Sequence, residues 1–180
     1  MPDLKLPEYF ETDRLMIRRL RYEDAEEIFY VYASKPEATK YVSWPTHQSI
    51  QETRRFLDYA VRAWQEHLEY SFSIRLKESN LLIGSFGVIN DNGKVSFGYI
   101  FGPNHWSKGY GTEACRAMMA QLLSVKEIHR IWTLVDVENV ASSQVLLKSG
   151  LIEEARIEKW HRFINQDNEP KDCIFYRLPI

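Results

Sequence analysis

Cysteine is scarce: Cys115 and Cys173 are the two in 180 residues. Two cysteines make no disulfide framework, and Cys115 falls among apolar helix positions that suit core packing better than nucleophilic work. Long apolar runs are missing as well. No stretch approaches the roughly 20 residues that a membrane helix needs. Met1-Pro2-Asp3-Leu4-Lys5 lacks the charged-then-apolar layout of a signal peptide. The expectation is a cytoplasmic protein with no membrane partner. Charge of one sign is not concentrated anywhere: 23 Lys and Arg face 25 Asp and Glu, a formal net charge of -2. Without a basic block, no nucleic-acid footprint is evident. The five histidines show no metal-ligand spacing, so no metal is expected. Repeats, low-complexity runs and internal linkers are also absent.

What remains is the balance of a soluble globular protein, 44% hydrophobic and 27% charged. One domain over residues 1–180 is expected, with residues 1–12 as a loosely held lead-in. Residues 14–20 read as a strand. Ala25, Ile28, Phe29 and Tyr32 then form the i, i+3, i+4, i+7 stripe of a helix, with Glu23, Asp24 and Glu26 near its positive end. Ser49-Ile50-Gln51-Glu52 has the spacing of a capping box, and Phe56, Leu57, Ala60, Val61 and Trp64 supply the buried face of that second helix. The aromatic connection Tyr41-Val42-Ser43-Trp44-Pro45 reads either as a staple between helices or as a substrate wall.

Strands follow at residues 70–76, 81–89 and 94–101. Asn92-Gly93 supplies the positive φ angles of a hairpin between the last two. Gly98 and Gly102 suggest a bulge or a close backbone approach. A helix over 109–124 carries Gly111, Cys115, Met118 and Leu122 on one face, and residues 129–136 form a strand. Asn139 caps a short helix ending at Gly150. Closing strands at 151–159 and 173–178 flank the polar turn at 165–170. This order implies an α/β (α+β) fold: a single mixed, mostly antiparallel twisted sheet flanked by helices.

The stretch richest in chemistry runs from Phe97 through Gly102-Pro103-Asn104-His105-Trp106-Ser107-Lys108-Gly109-Tyr110-Gly111-Thr112-Glu113-Ala114. A strand passes through a glycine-containing turn directly into a helix, the layout of an anion site built from free N–H groups and the helix dipole. Gly109 and Gly111 read as removing side chains from the path of a pyrophosphate. The Walker spacing is not met, and the dinucleotide fingerprint lacks its third glycine.

Residues 106–114 resemble the coenzyme A pyrophosphate loop of the GNAT acetyltransferase superfamily. More narrowly, they resemble its Rim-type branch, the ribosomal-protein N-terminal acetyltransferases. Asn139-Val140-Ala141-Ser142 and Lys148-Ser149-Gly150-Leu151 are similar to the family's Asn-x-x-Ser helix and its Lys-x-Gly-Phe ending. Thr12-Asp13-Arg14-Leu15 and residues 172–178 also match, so the resemblance spans nearly the whole chain. Trp106 and Leu151 depart from the superfamily's usual residues at their positions.

The resemblance implies an acetyl-CoA-dependent N-acetyltransferase acting on a primary amine, either a protein N-terminal α-amine or a small-molecule amine. Acetyl-CoA is the co-substrate. Ile100 and Phe101 would hold the pantetheine arm, the amides of Ser107, Lys108, Gly109, Tyr110, Gly111 and Thr112 the pyrophosphate, and Asn139 would touch the pantetheine or cap its helix. Little is asked of side chains: the amine attacks the thioester, a backbone N–H steadies the oxyanion, and the thiolate leaves. Ser142 is implied as proton donor to the sulfur, or else it satisfies its own helix's first turn. His161 and Glu154 are candidates for the base; a solvent-facing strand position for the first and structural pairing for the second are the other readings. A coenzyme A-sensing domain without turnover is the alternative function. Oligomeric state stays open, a homodimer included.

Overall fold

The computed structural model describes residues 3–180. Its centre is one eight-stranded sheet in the order β1-β2-β3-β4-β5-β6-β8-β7. The strands are β1 (Tyr9–Glu11), β2 (Leu15–Arg19), β3 (Glu69–Leu76), β4 (Leu82–Asp91), β5 (Lys94–Phe101), β6 (Arg130–Asp136), β7 (Ile152–Arg162) and β8 (Pro170–Arg177). Neighbours are antiparallel except β5 and β6, which run parallel. The helices are α1 (Ala25–Ile28), α2 (Pro36–Thr39), α3 (Ile50–Gln65), α4 (Tyr110–Leu123) and α5 (Val140–Lys148). The expected mixed, mostly antiparallel sheet with flanking helices is thus observed.

Alternation along the strands divides the core in two. Leu15, Ile17, Phe72, Phe86, Val95, Phe97 and Phe101 pack with Ala114, Cys115, Met118 and Leu122 of α4. Leu20, Ala25, Ile28, Tyr32, Leu57 and Ala60 form the second cluster. Asn92 and Gly93 take φ of 53° and 87°, and a Cβ on Gly93 would lie 2.3 Å from the Glu127 carbonyl oxygen, so the hairpin needs that glycine.

Several expectations are corrected. Residues 1 and 2 lie outside the described residues, but the rest of the lead-in is not loose. Leu4 and Leu6 are buried, and β1 pairs with β2. Leu4 joins the first core cluster, and its N–H donates to the Tyr70 hydroxyl at 3.0 Å. The capping box is not made: Glu52 Oε2 accepts from the Gln48 amide at 2.8 Å, one residue before the Ser49 N-cap. Asp24 does more than meet a helix dipole. Its carboxylate accepts from Arg18 at 2.6 Å and Arg75 at 2.8 Å, pinning the first helical segment to the sheet. Gly98 marks no bulge, since the β4–β5 register is unbroken and nothing lies within 4 Å of its missing Cβ. Gly102 does mark a close approach, with Val31 Cγ1 2.6 Å from where a Cβ would stand.

Candidate functional site

The parallel pairing of β5 and β6 covers only Lys94↔Arg130, Val95↔Ile131 and Ser96↔Trp132. The Thr133 hydroxyl then donates to the Phe97 carbonyl at 2.7 Å. Beyond it the strands part: β5 stays in register with β4 to Gly84↔Phe101, while β6 follows β8 to Asp136↔Cys173. The sheet opens into a fork.

Peptide groups of alternate residues face alternate neighbours along a strand. The Phe97 carbonyl faces β6, whereas the Gly102 amide donates to Ile83 on the β4 side at 2.9 Å. Tyr99 and Phe101 therefore turn their peptide groups into the fork, and Ile100 turns its own toward β4. The Phe101 carbonyl is already taken by the Trp106 indole N–H at 2.9 Å. What the fork exposes is the N–H and C=O of Tyr99 and the N–H of Phe101. Ile100, expected to hold the pantetheine arm, does not present its backbone there. Its side chain packs with the second cluster.

At the mouth of the fork the chain turns into α4. Ser107 and Gly109 have φ of 59° and 81°, left-handed conformations that gather successive N–H groups into a concave nest. The first helical bond is from the Glu113 amide to the Gly109 carbonyl at 3.1 Å. Among the described residues, the amides of Ser107, Lys108, Gly109, Tyr110, Gly111 and Thr112 have no acceptor. They sit at the positive end of a 14-residue helix. These groups fit an anionic pyrophosphate.

The two glycines serve different ends. Gly109 is required by its positive φ, and its missing Cβ would stand 3.3 Å from Arg14 Nη2. The missing Cβ of Gly111 would point at Val145 Cγ2, 3.3 Å away, and at the Phe101 ring. Gly111 therefore lets α4 close on α5 and β5; it does not clear a phosphate path, as the sequence suggested.

Arg14 braces the turn from behind. Its Nε donates to Glu113 Oε2 at 2.7 Å, its Nη1 to the Lys108 carbonyl at 3.0 Å, and its guanidinium stacks 4.6 Å from the Tyr110 ring centroid. Thr12 Oγ1 donates to the same Glu113 at 2.5 Å. The Thr12–Leu15 motif is thereby given a mechanical role that the sequence alone did not disclose. Trp106 is explained as the cap of the Phe101 carbonyl.

Below the fork, Asn139 Oδ1 accepts from the Ser142 amide at 3.2 Å, the N-cap of α5. Ser142 Oγ lies 2.8 Å from the Tyr99 hydroxyl, which also reaches the Ser142 carbonyl at 3.3 Å. Burial holds the Tyr99 phenol well above its ordinary range, with the Ser142 bond opposing. A pair of hydroxyls thus joins β5 to α5. Sequence reasoning missed Tyr99, although alternation with Phe97 and Phe101 was the available signal.

The remaining candidates have partners of their own. His161 Nε2 is 3.2 Å from Ser43 Oγ, and the ring meets Phe163 edge-on. Glu154 is paired with Arg130 and Arg177. Its bond to Arg130 holds its carboxyl below the usual range. Arg130 begins β6 opposite Lys94, the closed end of the fork. Glu154 is thus removed from the candidate bases. Cys115 is fully buried on α4, and burial pushes its thiol up to about 11, so it stays a thiol at neutral pH.

This arrangement coincides with a known family. Residues 14–152 match the acetyltransferase (GNAT) domain. The chain belongs to the GNAT acetyltransferase family. It is 30% identical over 151 residues to an uncharacterized N-acetyltransferase, p20, of Bacillus licheniformis, covering 79% of this chain and 84% of that one. A GNAT-family acetyltransferase of Bacillus anthracis superposes with a TM-score of 0.83 at 25% identity, covering 94% of this chain and 97% of that one. A putative ribosomal-protein-serine acetyltransferase of Vibrio cholerae gives 0.81 at 24% identity over 96% and 97%. The latter likeness is one of fold. This GNAT chain is an N-acetyltransferase. Among its described residues no helix is long and apolar enough to cross a membrane.

Proposed function

We propose that residues 1–180 act as one domain that transfers the acetyl group of acetyl-CoA to a primary amine, by direct attack with both substrates bound. The observation that carries this reading is the set of unpaired backbone groups, those of Tyr99 and Phe101 in the fork and the amides of Ser107–Thr112 at its mouth, on the strand whose Tyr99 hydroxyl meets Ser142.

Acetyl-CoA supplies an acetyl thioester that the amine nitrogen attacks, with the thiol leaving. The amides of residues 107–112 hold the pyrophosphate, and the fork edge of β5 pairs with the pantetheine as an added strand would. A backbone N–H on that edge steadies charge on the thioester oxygen. Ser142 passes its hydroxyl proton to the departing sulfur and takes one back from solvent, which receives the proton that the attacking amine gives up, while Tyr99 orients that hydroxyl and, being hard to ionise, remains a donor. Asn139 holds the first turn of α5 so that Ser142 stays in place. An alkylammonium has pKa about 10.4 and an α-ammonium about 8, so a base matters more for the former. With Glu154 engaged elsewhere, His161 is the remaining candidate for that role.

The acceptor is either a protein N-terminus or a small amine. Release of free thiol from acetyl-CoA, followed with N-terminal peptides, polyamines, aminoglycosides and free amino acids, tests the proposal. Amine-dependent release with at least one class is expected. Tight coenzyme binding with no release above hydrolysis would favour the coenzyme A-sensing reading instead.

A further inference from the structure

We propose that Asn165 is the positioning residue of the acceptor side: its side chain clamps the segment between α2 and α3 to the β7–β8 hairpin and so fixes one wall of the amine's approach. The inference rests on the fork being the site of acetyl transfer.

Every polar atom of this amide is used. Nδ2 donates to the Thr39 carbonyl at 2.7 Å and to the Trp44 carbonyl at 2.9 Å. Oδ1 accepts from the Thr46 amide at 3.0 Å and from the Thr46 hydroxyl at 3.2 Å. Two donors and two acceptor sites are the full capacity of the group. The orientation is fixed by its partners, since the flipped amide would set an oxygen against two carbonyls and an NH₂ against an N–H.

The clamp belongs to a closed chain of contacts around the end of β6. Gln166, the next residue, donates from Nε2 to Asp136 Oδ2 at 3.0 Å, and Asp136 is fully buried where β6 ends. Asp136 Oδ1 accepts from the Glu138 amide at 2.9 Å. The Tyr41 hydroxyl returns to the Glu138 carbonyl at 3.5 Å, just ahead of the Asn139 cap. Ser43 meets His161 at 3.2 Å. The segment from Thr39 to Thr46 is therefore tied at both ends to the hairpin through Asn165, and between them, at Tyr41, to the stretch just ahead of α5. No regular strand or helix pairing holds it there. Side-chain bonds do, and Asn165 makes four of them.

On the other side of the fork, the turn before α4 is braced by Arg14 and Glu113 and shares no partner with Asn165. Loosening the clamp should accordingly weaken acceptor binding and leave coenzyme binding alone. The test compares wild type, Asn165→Ala and Asn165→Asp with a short peptide bearing a free α-amine and with spermidine as acceptors. Calorimetry of acetyl-CoA and amide hydrogen exchange accompany the kinetics.

The Ala variant is expected to raise the acceptor KM about tenfold or more with kcat little changed. The Thr46 amide should exchange faster, while α4 amides and coenzyme affinity stay as in wild type. The Asp variant keeps the acceptor oxygen but loses both donors. It should behave like Ala near neutral pH and recover partly as acid protonates the new carboxyl and restores one donor. Unchanged KM with unchanged Thr46 exchange overturns the proposal. So does a parallel loss of coenzyme affinity and α4 protection, which would mean a general structural role. If wild type acetylates neither amine, the acetyl-transfer reading fails for those acceptors, and exchange at Thr46 still decides the clamp.

Discussion

The hydroxyls of Ser142 and Tyr99 are hydrogen-bonded to each other across the base of the fork at 2.8 Å. Removing the Ser142 hydroxyl leaves untouched the backbone groups proposed to hold the coenzyme. The Ser142→Ala variant should therefore bind acetyl-CoA as wild type does and lose kcat. General-acid help is worth about 10²–10⁴-fold, with the low end expected where water can enter. Tyr99→Phe should give a smaller loss, since it frees Ser142 to choose other orientations without removing the donor. Steady-state kinetics with calorimetry check both; an undiminished kcat in Ser142→Ala would return that serine to its helix turn. Cys115→Ala should transfer normally, and mass spectrometry of enzyme with acetyl-CoA alone should show no acetyl-enzyme. At this scale the Asn139 cap was legible because a motif spacing carries it. Tyr99 was not, because its role depends on which β5 residues face a gap that only the β5–β6 separation creates. For Glu154 the structural pairing that the sequence also allowed is what is found, with partners on two other strands. Asn165 reads only as part of a polar turn because the three residues it bonds lie more than 100 positions away.

On the proposed reading, coenzyme binding depends on the turn into α4. Gly109 sits at φ of 81°, where a β-branched side chain is strained by about 1–3 kcal/mol. Gly109→Val should unseat the nest of amides and sharply weaken acetyl-CoA binding. Gly111→Val acts differently, because its side chain would press on Val145 and Phe101. A loss of about 1–3 kcal/mol from overpacking is expected there. That loss should show as a lower melting temperature, larger than any direct effect on phosphate contacts. Calorimetry and thermal melts of the two variants separate these outcomes; equal stability with equal coenzyme loss would contradict the division of labour. Local signals made most elements readable: strand alternation, the Asn-Gly turn and the stripe of α4. The strand β1 and the helix α2 were missed because three or four residues are too few to show a period. The first helical segment reads as one helix but loosens from a 3-10 turn through α1 to a π turn at Phe29–Ala33. The misread glycine had a motif but no neighbours, and Val145 lies 34 positions on, in another helix.

Across the whole molecule, two parts of one sheet meet at three residue pairs. The fork stays open because each prong is bound along its outer edge, β5 to β4 and β6 to β8. That arrangement leaves a strand edge inside the protein with donors and acceptors that water or a ligand must satisfy. The antiparallel hairpins were legible because consecutive strands and their turns lie together in sequence. The parallel pair, and the insertion of β8 between β6 and β7, were not. No local pattern specifies which distant strands pair. The central claim is that acetyl-CoA fills this fork, pairing with β5 and seating its pyrophosphate on the turn. Residue-resolved amide exchange with and without acetyl-CoA tests it most directly. The Tyr99 and Phe101 amides and those of Ser107–Thr112 should gain protection with the ligand, while the Ile100 amide, already bonded toward β4, should be protected in both states. Protection appearing elsewhere, or at Ile100 in place of Tyr99, would contradict the account.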